Sequence, residues 1–373
     1  MPSPNVIVSA VAGFEPALDR PPAELLRSER GLSVVLAEGR RVRLDPTNPR
    51  SVGFAQVLEG ARRQGLPVYV ETDLATSSMT RLLIPYVARV TAVRPENDKA
   101  LVVELLPSHA RHMLRRDRPD FGELEEQLKA ALRSGQSVIV TGDDAHNIID
   151  VRPFRPGPDG PPPPLPGPGP LPPSWFRRLM RSLWRFPWWP RCWFGCSSMA
   201  RAQQIFNAMS ATSCDPLTVP PPCIPFLYPD DGCWARAHEM CRLMINMSLS
   251  PRKVWIQAST RLRVNTRNNP NCYVEWGWHV APTLCVWGPF PFLFRSMVID
   301  PSLFSTPVTK ATWKGVQGDP NASLTDTDAS IYYLWGSVTD PTYSQTNYYL
   351  AVYRLALQTR ALQFGPPPYA NCP

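Results

Sequence analysis

The sequence predicts an α+β protein. A small α+β domain comes first, and a larger domain follows in which a helix-borne cysteine faces an antiparallel sheet. Three observations carry this. A strand–helix–strand pattern occurs twice before residue 150, and a proline-rich interruption follows it. Beyond the interruption, a helix is succeeded by strands dense in tryptophan and β-branched residues. At 373 residues, with 43 % apolar side chains, the chain is long enough for two cores. The expected divisions are 1–152, 153–196 and 197–373.

Val6 to Gly13 is a short apolar run with no basic residue before it and Glu15 soon after, so it reads as a strand rather than a signal peptide. No stretch approaches the roughly 20 apolar residues that span a bilayer. Arg41–Leu44, Phe54–Ala61, Gly65 and Pro67–Val70 read as strand, helix, cap and strand. Leu101–Leu105, Phe121–Leu132, Gly135 and Ser137–Val140 repeat that order. At an offset of 70, Leu58, Ala61, Gly65, Val68 and Val70 fall on Leu128, Ala131, Gly135, Val138 and Val140, a diverged internal duplication. Both glycines suit helix C-caps. His109 and His112 have no cysteine or third ligand near them in sequence and are expected on a solvated basic helix face. His146, in a turn, is expected at the surface.

From Pro153 to Pro173, 12 of 21 residues are proline, which marks an extended spacer that cannot pack a core. Residues 174–194 then alternate arginine with large apolar groups. Three readings are open: an interfacial membrane contact, docking on a folded domain, or a trypsin-like processing site between Arg177 and Arg201. The net charge of +8 is modest for this length, and no basic stripe is interleaved with a nucleic-acid motif, so a nucleic-acid partner is not expected.

The chemistry gathers at Tyr228-Pro229-Asp230-Asp231-Gly232-Cys233-Trp234-Ala235-Arg236-Ala237-His238-Glu239-Met240. The Asp-Asp-Gly run is helix-start chemistry, with the acids expected to cap orphan N–H groups. Cys233 then lies on the first turn, where the helix dipole and free N–H groups favour a thiolate and can hold an oxyanion. His238 is five residues on, about 140° around the axis, so it cannot face the sulfur. His279 is the remaining base downstream of the spacer, on the strand Val274–Ala281. Alternation would place Glu275, Gly277 and His279 on one face and Trp276, Trp278 and Val280 on the other, with Gly277 leaving room for substrate. Asp300 ends the following strand and can orient an imidazole. Cysteine at a helix start, then His and Asp on successive strands, is the order of papain-like and transglutaminase-like folds.

These blocks, with Trp276-Gly277-Trp278-His279-Val280-Ala281, Ile299-Asp300-Pro301-Ser302-Leu303-Phe304, Pro307-Val308-Thr309 and Trp313, resemble bacterial protein-glutaminases from about Ser197 to about Leu357. That family deamidates glutamine side chains in proteins. The resemblance implies a catalytic Cys233–His279–Asp300 triad with no metal or organic cofactor, and it implies paired Cys214 and Cys223. It also casts Ile331–Trp335 and Tyr348–Tyr353 as closing strands. Leu44–Tyr69 resembles, more weakly, the family's pro-region, which fills the cleft until it is cut away. The second N-terminal unit has no family counterpart.

All nine cysteines follow the linker, and setting Cys233 aside leaves eight, a number compatible with disulfides and with secretion. Cys241 and Cys285 sit in apolar patterns and read as buried thiols; Cys192 and Cys196 lack a second pair for zinc. The expectation is therefore a protein-glutamine glutaminase, made latent with its own N-terminal domain as inhibitor. Trp234 and Gly277 would shape the slot, Trp234 equally serving as ordinary core. The rivals are a transglutaminase or thiol protease with the same triad, or a membrane-acting binding protein built on residues 174–194.

Overall fold

The computed structural model describes residues 5–28, 31–37, 39–154, 196–218, 222–288 and 294–373. Residues 155–195 lie outside this description. The expectations of an interfacial, docked or processed segment, and of the state of Cys192, fall there.

The N-terminal half holds β1 (Asn5–Glu15), α1 (Pro22–Arg27), β2 (Leu32–Leu36), β3 (Arg41–Leu44), α2 (Ser51–Arg63), β4 (Pro67–Thr72) and β5 (Met79–Leu83). β6 (Tyr86–Asn97), β7 (Ala100–Leu106), β8 (His112–Arg115), α3 (Phe121–Ser134), β9 (Ser137–Gly142) and β10 (Ile148–Pro153) follow. Two five-stranded antiparallel sheets result, ordered β3-β2-β1-β4-β5 and β8-β7-β6-β9-β10, the same order displaced by five strands. The strand in the second sheet that occupies the place of Arg41–Leu44 is therefore β8, not Leu101–Leu105. β7 corresponds to β2. His112 consequently begins a strand with a buried–half-buried alternation rather than lying on a solvated helix.

Beyond residue 195 come α4 (Met199–Ser210), α5 (Cys233–Asn246), β11 (Arg252–Asn265), β12 (Tyr273–Trp287), β13 (Phe294–Val298), β14 (Val308–Thr309) and α6 (Lys310–Gly315). β15 (Ser323–Asp328), β16 (Ile331–Tyr333), β17 (Val338–Thr339) and α7 (Ser344–Phe364) complete the described chain. The main sheet is antiparallel, ordered β14-β13-β12-β11-β15, and α5 packs across β12. Tyr348–Tyr353 is not a strand; it lies inside α7, a 21-residue helix. Aromatic content favours strands only weakly. Here no glycine or proline interrupts residues 344–364, and the helix is buried against α5 and α2 on several faces, so packing overrides propensity.

The core runs continuously through both halves. Val57, Leu58, Val87 and Leu105 belong to the same apolar cluster as Trp234, Met240, Trp278 and Tyr349. The Val87 N–H donates to Tyr348 Oη, and Tyr349 Oη donates back to the Val87 carbonyl, both at 3.0 Å. Burying such apolar area is the dominant favourable term in folding, so this contact is a core rather than a wet interface.

Among the described residues three disulfides bind the C-terminal half: Cys196–Cys285, Cys214–Cys223 and Cys272–Cys372. Cys285 is thus not a buried thiol. Its strand neighbour Trp287 donates its backbone N–H to the Ser197 carbonyl, and the Ser197 N–H donates to the Cys285 carbonyl, an alignment that carries Cys196 alongside Cys285. Cys233 and Cys241 are buried and free. Cys272–Cys372 closes a 100-residue separation and ties the chain end to the β11–β12 turn. In the chain-entropy view a loop of that size contributes about 4–5 kcal/mol. The double substitution C272S/C372S is expected to lower the unfolding free energy, read by urea titration, by that order, more than opening the 9-residue Cys214–Cys223 loop does.

Candidate active site

Cys233 opens α5 because Gly232 turns the chain just before it, with φ 82° and ψ 14°. A Cβ at Gly232 would lie 2.4 Å from the Tyr353 ring, so both conformation and space demand glycine here. Gly232→Ala is expected to cost roughly 2–4 kcal/mol from left-handed strain plus overpacking, read as a lower denaturation midpoint.

Asp230 and Asp231 do not cap α5, contrary to the sequence expectation; no side chain caps its N-terminus. Both are buried and drawn into charge networks instead. Asp230 binds Arg360 Nη1 at 2.6 Å, accepts from Asn269 and lies 3.4 Å from His146 Nε2. Asp231 accepts from the Gly232 N–H at 2.9 Å, Tyr353 Oη at 2.9 Å and Ser108 Oγ at 2.6 Å. Burial alone would raise both carboxyls, but Arg360 and His146 at Asp230, and His109 with His112 and Ser108 at Asp231, outweigh it and hold them well below the usual range.

His279 Nε2 lies 2.9 Å from Asp300 Oδ2. Asp300 also accepts from Trp313 Nε1 at 2.8 Å and from the Ser302 N–H at 3.2 Å, and it is held below the ordinary carboxylate value by His279 and these donors. The imidazole is clamped between the Trp276 ring at 4.5 Å and the Trp313 ring at 5.4 Å, both near parallel. Strict alternation along β12 fails here. Trp276 sits with Ala281 in one core cluster, whereas Trp278 and Val280 sit with α5 in the other. The cause is a bulge in β11: Gln257 pairs with Trp278, but Leu262 pairs with Trp276, leaving residues 258–261 opposite Gly277.

One donor atom each from Cys233, His279 and His109 lies within 4.8 Å of the others. The Val280 backbone N–H points at the Cys233 sulfur and, with the guanidinium of Arg236 one turn along α5, favours the thiolate. Burial dominates, and the thiol sits well above its usual value despite the helix start. His238 is turned away, 2.8 Å from Lys253 Nζ through Nδ1. Trp234 is wholly buried, donates to Tyr332 Oη at 2.8 Å and sets its ring edge against His109. Gly277 faces open space on its Cβ side.

His109 is the residue that sequence reasoning misplaced. β13 pairs with β12 only from Thr283 to Trp287, so the edge at Glu275–Gly277 is free. Residues 109–111 take it. The Gly277 N–H donates to the His109 carbonyl at 2.9 Å, the Arg111 N–H donates to the Glu275 carbonyl at 3.3 Å, and Ala110 bridges Trp276 in antiparallel sense. This is strand addition by the chain's own N-terminal half. His109 is 1 % exposed, packed against Trp234, Trp276, Trp278 and His279, with Nδ1 2.8 Å from Asp231 Oδ1. The cleft is therefore filled from the second unit, not from Leu44–Tyr69, whose helix α2 packs on α7 instead. His112 is buried as well, 2.7 Å from Ser108 Oγ and 2.9 Å from Tyr86 Oη, and His146 meets Asp230 rather than open solvent. Nothing local in the Ser108–Arg111 sequence signals insertion; only pairing across more than 150 residues creates it.

Burial lowers His109 from 6.5 to about 4, Asp231 only partly opposing, and lowers His112 to about 3. Folded values below unfolded ones mean a contribution complete above pH 6.5 and lost as pH falls, because the unfolded chain takes up the protons first. For His109 alone, full loss is of the order of 3 kcal/mol. The raised His146 acts in the opposite direction, and the two aspartates act only below about pH 4. The urea midpoint is expected to fall steadily between pH 6.5 and 4.5, and His109→Gln to flatten that slope.

Residues 202–317, which carry Cys233, His279, Asp300 and Trp313, match the model of a family described as glutaminase. The match covers the part of the chain in which the cysteine, the imidazole and the carboxylate meet. Among solved structures the chain is similar to pro-protein-glutaminase, with 22 % identity over 78 % of this chain and 99 % of that one and a TM-score of 0.49. It is also similar to a crystal structure of protein-glutaminase (26 % identity, 48 % and 95 % covered, TM-score 0.36). A third likeness is to the protein-glutaminase of Chryseobacterium proteolyticum (28 %, 45 % and 87 %, TM-score 0.35). None of the curated proteins matches the chain.

Proposed function

We propose that this chain is a latent protein-glutamine glutaminase whose C-terminal half has a papain/transglutaminase-like catalytic arrangement. The observation that carries the reading is the free β12 edge beside Cys233 and His279, occupied by an extended segment of the chain itself. A cleft that accepts residues 109–111 by backbone pairing suits an extended protein substrate, delivering one side chain towards the sulfur.

In the opened enzyme His279 takes the Cys233 proton, and the thiolate attacks the glutamine carboxamide carbon. The Cys233 N–H at the helix start and the Val280 N–H beside the sulfur serve in this reading as the donors that stabilise the oxyanion. His279, held by Asp300 and flanked by indoles, returns the proton to the leaving nitrogen, so ammonia departs and a thioester remains. Water then adds with His279 as base, and glutamate and free thiol are released. Gly277 leaves space at the mouth, while Trp234 forms the wall that His109 now touches. The N-terminal half acts as the inhibitor, and its two sheets of matching order support descent from a duplicated unit. The three disulfides suit an oxidising, extracellular setting.

The test is ammonia release from a glutamine-rich protein after proteolysis of the chain, with mass spectrometry of the substrate. Conversion of glutamine to glutamate supports the proposal. Lysine cross-links or backbone cuts without deamidation would replace it by the transglutaminase or protease reading.

A further inference from the structure

We infer that the latent chain binds one borderline-soft divalent cation, zinc foremost, between His109, Cys233 and His279, and that this ion clamps the N-terminal half over the nucleophile. Three observations converge. One donor atom from each residue lies within 4.8 Å of the other two, and all three residues are buried. His279 gives Nε2 to Asp300 and His109 sets Nδ1 against Asp231, which leaves His279 Nδ1 and His109 Nε2 for the cleft. Those two buried nitrogens have no hydrogen-bond partner.

The chemistry of the set is that of zinc. A thiolate and two imidazoles are its usual ligands, with bonds near 2.0–2.3 Å that place donors about 3.4–3.7 Å apart in a tetrahedron, and a water fills the fourth position. Each histidine is backed by a buried carboxylate, the arrangement that orients metal-bound imidazoles and raises their basicity. Binding would displace the Cys233 thiol proton to solvent and give the two orphaned buried nitrogens a metal bond each. Because His109 comes from the N-terminal half and the other two ligands from the C-terminal half, the ion would cross-link them. Removing the N-terminal half would take away one ligand and leave the nucleophile uncapped. The reaction itself needs no ion, so the clamp stands apart from the choice of amide substrate.

The test uses the full chain, disulfides intact, titrated with Co2+ and then with Zn2+ against a chromophoric chelator. One equivalent of Co2+ should give a thiolate-to-cobalt charge-transfer band, which Zn2+ displaces. Cys233→Ser should abolish the band. His109→Gln should weaken binding at least about tenfold, with circular dichroism matching the parent. Should His109→Gln fail to fold, the unaltered chain still decides the matter, since an equivalent of Zn2+ should slow alkylation of Cys233 mapped by peptide mass. No band, a band surviving Cys233→Ser, affinity unchanged in His109→Gln, or alkylation indifferent to zinc would each overturn the clamp. Ammonia release by the proteolysed chain in chelator-treated buffer tests the enzyme separately, so the two can fail independently.

Discussion

Cys233→Ala is expected to reduce ammonia release from a glutamine-rich protein by a factor on the order of 10⁶, because a nucleophile acting within a triad is not replaced by its neighbours. The substitution removes only the sulfur. The alanine keeps α5 and its glycine turn, so denaturation should be almost unchanged and the loss can be assigned to chemistry. His279 and Asp300 remain 2.9 Å apart beside the empty position, and without a sulfur to deprotonate they have no acyl acceptor to activate. Activity within tenfold of the parent would remove Cys233 from the reaction.

The second large effect concerns latency. A cut between Arg177 and Arg191 alone should leave the chain nearly inactive, because the halves share a continuous core and the Asp230–Arg360–Asp144 network spans them. The nicked pieces should co-elute on gel filtration. Only when the N-terminal half is digested or stripped away should activity appear. With millimolar effective concentration for a tethered inhibitor and a micromolar intrinsic affinity, the gain is about 10³-fold. Acid treatment between pH 6.5 and 4.5 should hasten the release, since His109 and His112 are buried neutral there. Full activity on nicking alone, with the halves still associated, would contradict an inhibitor seated on β12.

Legibility in the sequence followed the range of the interactions. β3, β4 and β9 and the helices α2, α3 and α5 announce themselves through short-range periodicity and caps, with Gly135 in the left-handed C-cap conformation and Gly65 left-handed two residues past its helix. The family resemblance pointed to Cys233, His279 and Asp300, and the fold brings the last two into contact and sets the sulfur beside them. The resemblance casts Tyr348–Tyr353 as a strand, whereas the segment is helical within α7 and buried between α5 and α2. The faces of β12 were misassigned because the bulge that breaks its alternation lies in the partner strand. Cys285 read as an apolar-strand thiol, and its bond to Cys196 depends on a contact spanning 89 residues.

By itself the sequence determined the helix-borne thiol after a glycine turn, the aromatic strand that carries the imidazole, and the carboxylate at the end of the next strand. Each is set by backbone preferences and periodicity within a dozen residues. Only the tertiary structure decided that Asp230 and Asp231 serve as buried anchors, that Trp276 and Trp313 clamp His279, and that His109 fills the cleft. Those outcomes rest on a free sheet edge and on burial of charge, which exist only once distant segments have packed together.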